Sequence, residues 1–193
     1  MSHGSSLNQP DCLRSIRWRR LDREGTDRAT LAETETGHLL LGHARFEESS
    51  GFYELRYSAE VDSHWRTVQA RVNGFGPDGP IEIHIGVEPG GIWRLNGSVI
   101  TDVLGSVDVD LAFTPATNLL SIRRLALSSG QSGEVIAAWL DFPRLRLEPL
   151  RQIYHLRPDG RYDYSCPELP FDATLEVDSA GFVTAYPPLW GPP

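Results

Sequence analysis

Four charged side chains in one short segment are the strongest candidates for chemistry in this chain. Asp108 and Asp110 stand two residues apart, and Arg123 and Arg124 close the run DVDLAFTPATNLLSIRRL. On a β-strand, residues i and i+2 lie on one face with Cα atoms about 6.8 Å apart, which suits the paired acids of glycoside hydrolysis. Arginine forms paired hydrogen bonds with phosphate or carboxylate. The segment therefore predicts either an acid pair or an anion-binding site.

A purely structural role is the alternative for the same four residues. Asp108 and Asp110 can pair with Arg123 or Arg124 across a hairpin, and such ion pairs fix strand register. The Thr-Pro step between them favours a turn or a single helical turn, because proline fixes its own φ at about −65°. We expect the structural pairing, and the sequence leaves open which of the two arginines faces inward.

The segments around this candidate site alternate apolar and polar residues with a period of two. Such alternation begins at Phe52, at Arg66 and at Ile81, and it is typical of strands with one buried face. No segment shows a comparable helical stripe. Turn signals divide the chain at short intervals: Ser49-Ser50-Gly51, Asp78-Gly79, Asn96-Gly97, Ser129-Gly130, Asp159-Gly160 and Ala180-Gly181. Because Asn-Gly and Asp-Gly favour two-residue hairpins, the pattern predicts successive antiparallel hairpins.

The predicted fold class is all-β with at most a minor helix. We expect a single antiparallel β-roll or incomplete barrel, because a meander of hairpins has to protect its edge strands and rolling does so. A flat two-layer sandwich is the alternative. Residues 1–11 are expected to form a flexible N-terminal arm, and residues 12–193 one domain, since 193 residues suit a single core.

Composition and charge argue against several classes of function. The net charge is −8, and the dispersed basic residues do not favour nucleic acid. One basic cluster is the exception, although its spacing suits a solvated strand face: Arg17, Arg19, Arg20 and Arg23. No apolar run could cross a bilayer and no secretory leader is visible, so we expect a cytoplasmic protein. Cys12, Cys166 and the six histidines lack metal-ligand spacing, so no metal or other cofactor is expected.

Two apparent motifs have ordinary explanations. The run GFGPDG from Gly74 matches a phosphate-binding loop, but a strand pattern follows it instead of a helix, so it predicts a hairpin loop. Ser63 and His64 do not predict a catalytic pair, because neighbours on an extended chain point to opposite faces. Neither motif supports an enzyme.

The run from Asp108 resembles the signature of a bacterial family named putative glycolipid-binding, in which D-x-D-L, T-P-x-T-N and I-R-R-L follow in that order. Further elements of the family agree along the chain: VDSHWRT from Val61, Trp93-Arg94, Ala138-Trp139 with Phe142-Pro143, Gln152-Ile153-Tyr154, VDSAGFV from Val177, and Tyr186-Pro187. The resemblance covers almost the whole chain after the N-terminal arm. Ser121 departs from it, because the family favours proline there, and we expect a less rigid loop.

The resemblance implies a spiral β-roll similar to bacterial carriers of lipoproteins and glycolipids. It also implies that a lipid or glycolipid is held in the cleft of the curved sheet without catalysis. Apolar walls suit acyl chains, since each buried methylene contributes roughly 0.8 kcal/mol. The predicted ligand-binding residues are head-group donors, hydroxyl acceptors and aromatic platforms: Arg123 and Arg124, then Asp62, Asp108 and Asp110, then Trp65, Trp93 and Trp139.

Two other functions stay open at this stage. A hydrolase of the glycosidase or esterase type would use Asp108 and Asp110 inside the same cleft, although no nucleophile elbow or metal cluster supports it. A protein-interaction module without a pocket would show a filled core and no cleft connected to Arg123 or Arg124. The sequence predicts no oligomeric state.

Overall fold

The structure is a computed structural model that describes residues 12–193, so the predicted arm at residues 1–11 lies outside the described residues. Within the described range the chain forms fifteen strands and one helix. Their bounds are β1 (Cys12–Arg20), β2 (Gly25–Glu33), β3 (Gly37–Glu48), β4 (Gly51–Asp62), β5 (Thr67–Gly76), β6 (Gly79–Glu88), β7 (Ile92–Leu95), β8 (Ser98–Val99), β9 (Val109–Leu111), α1 (Asn118–Leu125), β10 (Ser132–Asp141), β11 (Arg146–Leu156), β12 (Tyr162–Cys166), β13 (Phe171–Val177), β14 (Val183–Ala185) and β15 (Trp190–Gly191).

The strands form two curled sheets. A nine-stranded antiparallel sheet has the order β15-β1-β2-β3-β4-β5-β6-β7-β8, and a six-stranded sheet has the order β14-β13-β12-β11-β10-β9. In the second sheet β9 runs parallel to β10, while the other pairs are antiparallel. The sheets curl into a half-barrel, which confirms the predicted all-β roll.

Turn residues set the hairpins as the sequence predicts. Asn96 and Gly97 have φ values of 49° and 84° and join β7 to β8 in a two-residue turn. The GFGPDG run forms the end of the β5–β6 hairpin and is not a phosphate-binding loop. Ser129-Gly130 differs from the other predicted turns, because it leads from the helix into β10 instead of joining two strands.

The inner face of the nine-stranded sheet packs closely on the core at Gly42. Tyr57 is its register partner on β4, and a Cβ added to Gly42 would lie 2.0 Å from the Tyr57 ring. The missing side chain therefore lets the tyrosine lie against the β3 backbone. This packing carries the buried Tyr57 hydroxyl to Asp27 and Thr114, with oxygen distances of 2.9 Å to each.

The segment between β9 and β10 is not the hairpin that the sequence predicts. Parallel strands need a crossover connection, usually a helix, and α1 supplies it. The N-cap residue Thr117 and the helix residues Ser121 and Arg124 face the carboxylates of Asp108 and Asp110, at the i, i+4, i+7 spacing of one helical face. No helix in the described part of the chain is long and apolar enough to cross a membrane.

Candidate functional site

A buried ion pair fastens the helix to the strand beside it. Asp108, directly before β9, is 0% exposed. Arg124 donates from Nε and Nη2 to its two oxygens at 2.7 and 2.6 Å, and Ser121 Oγ donates at 3.1 Å. The hydrogen bonding of the Arg124 guanidinium to Asp108 raises the pKa of Arg124. The predicted structural pairing is thereby confirmed for Asp108 with Arg124, whereas Arg123 is exposed. It is wrong for Asp110, which has no arginine partner among residues 12–193. Ser121 lies in the helix, not in the loop expected there.

Asp110, two residues after Asp108, belongs to a second polar network. Gln152 donates to its Oδ2 at 2.5 Å and Thr117 to its Oδ1 at 3.1 Å. The Tyr154 hydroxyl donates to Gln152 at 3.1 Å and accepts from Asn118 at 2.9 Å. Burial raises the pKa of Asp110 to about 6, because it outweighs the two hydrogen bonds that lower the pKa. The two hydrogen bonds hold the carboxylate in place, and its burial makes ionisation cost free energy.

A cavity of about 330 Å³ opens beside Asp110. Trp139 is the register partner of Asp110 in the parallel β9–β10 pair, so both side chains enter the cavity from one face. The remaining walls are mostly apolar or aromatic and include Leu150, Tyr164, Cys166, Leu169, Phe171, Tyr186, Leu189 and Trp190. Larger recesses lie on the outer faces of the two sheets and open to solvent. Ligands usually occupy enclosed apolar pockets with a few polar groups, so the cavity beside Asp110 is the better candidate.

The polar end of the cavity can accept hydrogen bonds from a ligand. Each oxygen of Asp110 takes one hydrogen bond from the protein, and a carboxylate oxygen has capacity for another. Asn118 also lines the cavity, and within residues 12–193 its side-chain oxygen takes no hydrogen bond. No group of three or more histidine, cysteine, aspartate or glutamate residues in that range is arranged to hold a metal ion. The site therefore suits hydroxyl donors on an otherwise apolar or ring-shaped ligand.

Three predicted site residues lie away from this cavity: Trp65 and Arg123 at another recess, and Asp62 in a turn. The Trp65 ring stacks on His38 with centroids 3.9 Å apart, and the Arg123 guanidinium lies 4.9 Å from the same ring. Asp62 accepts the backbone N–H groups of His64 and Arg66 at 2.8 and 2.9 Å, so its carboxylate shapes the turn before β5. These residues do not line the cavity beside Asp110. Their ligand roles stay predictions.

Trp93 and Trp139 have different surroundings. Trp93 is 0% exposed and donates its indole N–H to the Ser106 carbonyl at 3.1 Å, so a ligand could reach it only after the core opens. Trp139 is partly exposed to the cavity. Of the eight predicted site residues, Asp110 and Trp139 therefore meet at one accessible site, and Asp108 with Arg124 supports it from behind.

Sequence reasoning missed the aromatic residues of the opposite wall. Tyr164 lies in β12 and Phe171 in β13. Tyr186 and Trp190, the first residue of β15, bound the turn at residues 186–190, which we call the C-terminal turn. The motif Tyr186-Pro187 belongs to the family resemblance and was the available signal, but no role was assigned to it. Residues so far from Asp110 in sequence can be placed beside it only once the sheet order is known.

A second buried carboxylate, Asp27, lies under the nine-stranded sheet. It is 3% exposed, and its Oδ2 accepts hydrogen bonds from Tyr57 and Thr114 while Oδ1 has no partner within the described chain. Burial raises the pKa of Asp27 to about 6, although the hydrogen bonds from Thr114 and Tyr57 lower it. Ionising this group in the folded chain therefore costs free energy.

Raising the pH is expected to destabilise the fold through Asp27. The pKa is 3.8 in the unfolded chain and about 6 in the fold, so the stabilisation present at low pH is lost as the pH rises toward and through 6. The expected loss from about pH 4.5 to about pH 7.5 is about 2 kcal/mol. Urea unfolding at the two pH values measures it, and Asp27→Asn should reduce the difference. An unchanged pH dependence in that variant would contradict the assignment.

The fold and the site together define an all-β roll with a partly open, aromatic-walled cavity. A family model described as "Putative glycolipid-binding" matches residues 15–191, and the chain belongs to this family. The predicted resemblance is confirmed. The crystal structure of a DUF1089 family protein from Pseudomonas aeruginosa is similar, with 25% sequence identity and a TM-score of 0.75 over 99% of this chain and 98% of that chain. No curated protein matches the chain.

Proposed function

We propose that this protein binds a glycolipid and that the cavity beside Asp110 holds the sugar ring. One observation carries the proposal: an aromatic-walled cavity of about 330 Å³ has a fixed carboxylate at one end. Sugar hydroxyls are hydrogen-bond donors, and the aliphatic face of a sugar ring packs on aromatic side chains. The family description supports a glycolipid as the ligand class.

The aromatic walls of the cavity supply the flat surfaces. Five aromatic side chains line the cavity: Trp139, Tyr164, Phe171, Tyr186 and Trp190. Aromatic rings bury a large area with few rotatable bonds, so they bind ring-shaped ligands at a low cost in conformational entropy. The polar network behind Asp110 holds the acceptor still. A preorganised carboxylate and fixed walls reduce the entropy lost when a ligand binds.

The size of the cavity limits how much of the ligand it encloses. Ligand pockets commonly measure about 300–1,000 Å³, and this one lies at the lower end of that range. One ring fits the volume better than a whole glycolipid. Leu169, which is 46% exposed, and Leu189 also line the cavity. The acyl chain of the glycolipid therefore extends out of the cavity over these two leucines.

The geometry does not favour a hydrolase that uses both aspartates. Asp108 has no exposed surface, and Arg124 occupies both of its oxygens. A glycosidase needs two carboxyl groups that flank the same scissile bond. Since only Asp110 lines the cavity, binding explains the site better than acid–base catalysis does.

Isothermal titration with n-octyl-β-D-glucoside below its micelle-forming concentration tests the proposal. Asp110→Asn is expected to lower the affinity about tenfold or more, because a hydrogen bond to a charged acceptor contributes roughly 1.5–3 kcal/mol. Asp102→Asn is the matched control, since it removes the same charge from an exposed turn. Urea unfolding of each variant checks that it is folded. Absence of binding to the wild type, or equal affinity in the folded Asp110→Asn protein, would contradict the proposal.

A further inference from the structure

Four basic side chains form a continuous row across the outer face of the nine-stranded sheet. Arg17 on β1 pairs in register with Arg28 on β2, Arg28 with His43 on β3, and His43 with Arg56 on β4. We refer to these four residues as the basic row. The three arginines are exposed, and the row continues through Asn73 to Glu82 on the next two strands.

The three arginines of the basic row lack counter-ions in the described part of the chain. Among residues 12–193 none of their guanidinium groups takes part in a salt bridge or a hydrogen bond. Only His43 has an acidic contact, 2.9 Å from Glu54. Strands lie about 4.8 Å apart, and like charges placed opposite each other destabilise a sheet. An acidic protein with net charge −8 thus places three arginines without counter-ions in one row of its outer face.

Apolar side chains accompany the basic row on the same outer face. Phe75 is 67% exposed, Phe52 is 47% exposed and Leu41 is 42% exposed. Leu41 lies two residues from His43 on β3, and Phe75 pairs in register with Glu54, two residues from Arg56 on β4. A recess of about 840 Å³ follows the row, lined by Arg17, Arg28, His43 and Arg56 together with Leu41. The face therefore combines unpaired cations with exposed rings and an aliphatic side chain.

We propose that this outer face docks on the surface of a lipid bilayer by binding anionic phosphate head groups. Arginine binds phosphate oxygens through paired hydrogen bonds, and a phosphate between two row members relieves their repulsion. The neighbouring Phe75 and Phe52 rings enter the interfacial region, as apolar side chains of peripheral proteins do. Nucleic acid fits less well, because its binding commonly neutralises six to ten phosphates and the row offers three unpaired arginines.

Docking is a separate property from ligand binding in the cavity. The basic row lies on the first sheet and its side chains point away from the core, whereas the cavity beside Asp110 is lined mainly by the second sheet and the C-terminal turn. Failure of docking would leave sugar binding in place, and failure of sugar binding would leave docking in place. The two proposals can therefore be tested independently in the same variants.

Vesicle sedimentation of the full chain tests the docking surface. Wild-type protein is expected to sediment with phosphatidylcholine vesicles that contain phosphatidylglycerol, and much less with phosphatidylcholine alone. The triple variant R17Q/R28Q/R56Q is expected to lower the partition coefficient about 100-fold at low salt, about fivefold for each arginine. Without vesicles the same variant should melt at an equal or higher temperature, because like-charge repulsion is removed.

The control triple variant R66Q/R146Q/R161Q removes the same charge from exposed arginines elsewhere. It is expected to reduce sedimentation by only a few-fold, since charges remote from the bilayer contribute little within the Debye length. Urea unfolding confirms that both triple variants remain folded. Equal losses of vesicle binding in the two triple variants would overturn the proposal, and so would equal sedimentation with anionic and neutral vesicles. Complete inhibition of vesicle binding by inorganic phosphate, at a concentration equal to that of the lipid phosphate, would also overturn it.

Discussion

Replacing Arg124 by methionine is expected to lower the free energy of unfolding by about 3–5 kcal/mol. Asp108 is 0% exposed and Arg124 donates to both of its oxygens, so the substitution leaves a buried carboxylate with Ser121 as its remaining side-chain donor. An unpaired buried charge is among the largest destabilising changes that one substitution can produce. Urea unfolding near neutral pH measures the loss.

The neighbouring arginine provides the matched control. Arg123 is exposed and contacts the Trp65 ring, so Arg123→Met is expected to cost less than about 1 kcal/mol. Adding Asp108→Asn to the Arg124→Met protein should recover part of the loss, because the unpaired charge is then absent. Equal losses in the two single variants would show that the ion pair does not hold the helix in place.

Truncation of Trp139 is expected to lower the affinity for octyl glucoside about 30-fold. The ring lines the cavity beside Asp110, and truncating a central aromatic contact commonly costs at least about 2 kcal/mol of binding free energy. The expected loss of affinity in the Trp139→Ala protein is therefore larger than the smallest loss expected for Asp110→Asn, which is about tenfold. Titration calorimetry of the two variants under one condition measures both effects.

The same strand supplies the control for Trp139. Ile136 on β10 is 49% exposed and does not line the cavity, so Ile136→Ala removes an apolar side chain from that strand without touching the ligand. Its affinity should equal that of the wild type. If Trp139→Ala binds as tightly as Ile136→Ala, the aromatic wall does not contact the ligand and the sugar ring lies elsewhere.

Local sequence signals predict most of the sheet because each hairpin depends on nearby residues. Asn96-Gly97 demands two positive φ values, and alternation along β4 buries every second side chain from Tyr53 to Val61. These preferences act within a few residues, so the sequence alone establishes them. The all-β roll follows once the hairpins are joined in order.

The helix could not be predicted with the same ease. It spans eight residues, shorter than the window in which helical periodicity becomes distinct, and it begins after a Thr-Pro turn signal. A trace of it was present, since Thr117, Ser121 and Arg124 have the spacing of one helical face. The decisive factor is the parallel pairing of β9 with β10, which depends on the whole sheet.

The candidate site likewise contains residues that the sequence predicted and residues that only the fold reveals. Asp110 and Trp139 stood among the predicted residues because their chemistry and the family motifs marked them. Tyr164, Phe171 and Tyr186 gained a place only when β12, β13 and the C-terminal turn were brought over the cavity. Spacing in sequence could not place Asp110 in the cavity and Asp108 behind it, because Arg124 decides which carboxylate is closed off.

A crystal structure of the protein with bound octyl glucoside tests the central claim most directly. The sugar ring is expected inside the cavity, with a hydroxyl oxygen about 2.6–3.2 Å from Asp110 and the ring packed on Trp139. The octyl chain should leave past Leu169. A sugar ring bound in the Trp65–Arg123 recess or on an outer sheet face, with the cavity beside Asp110 free of ligand, would contradict the account.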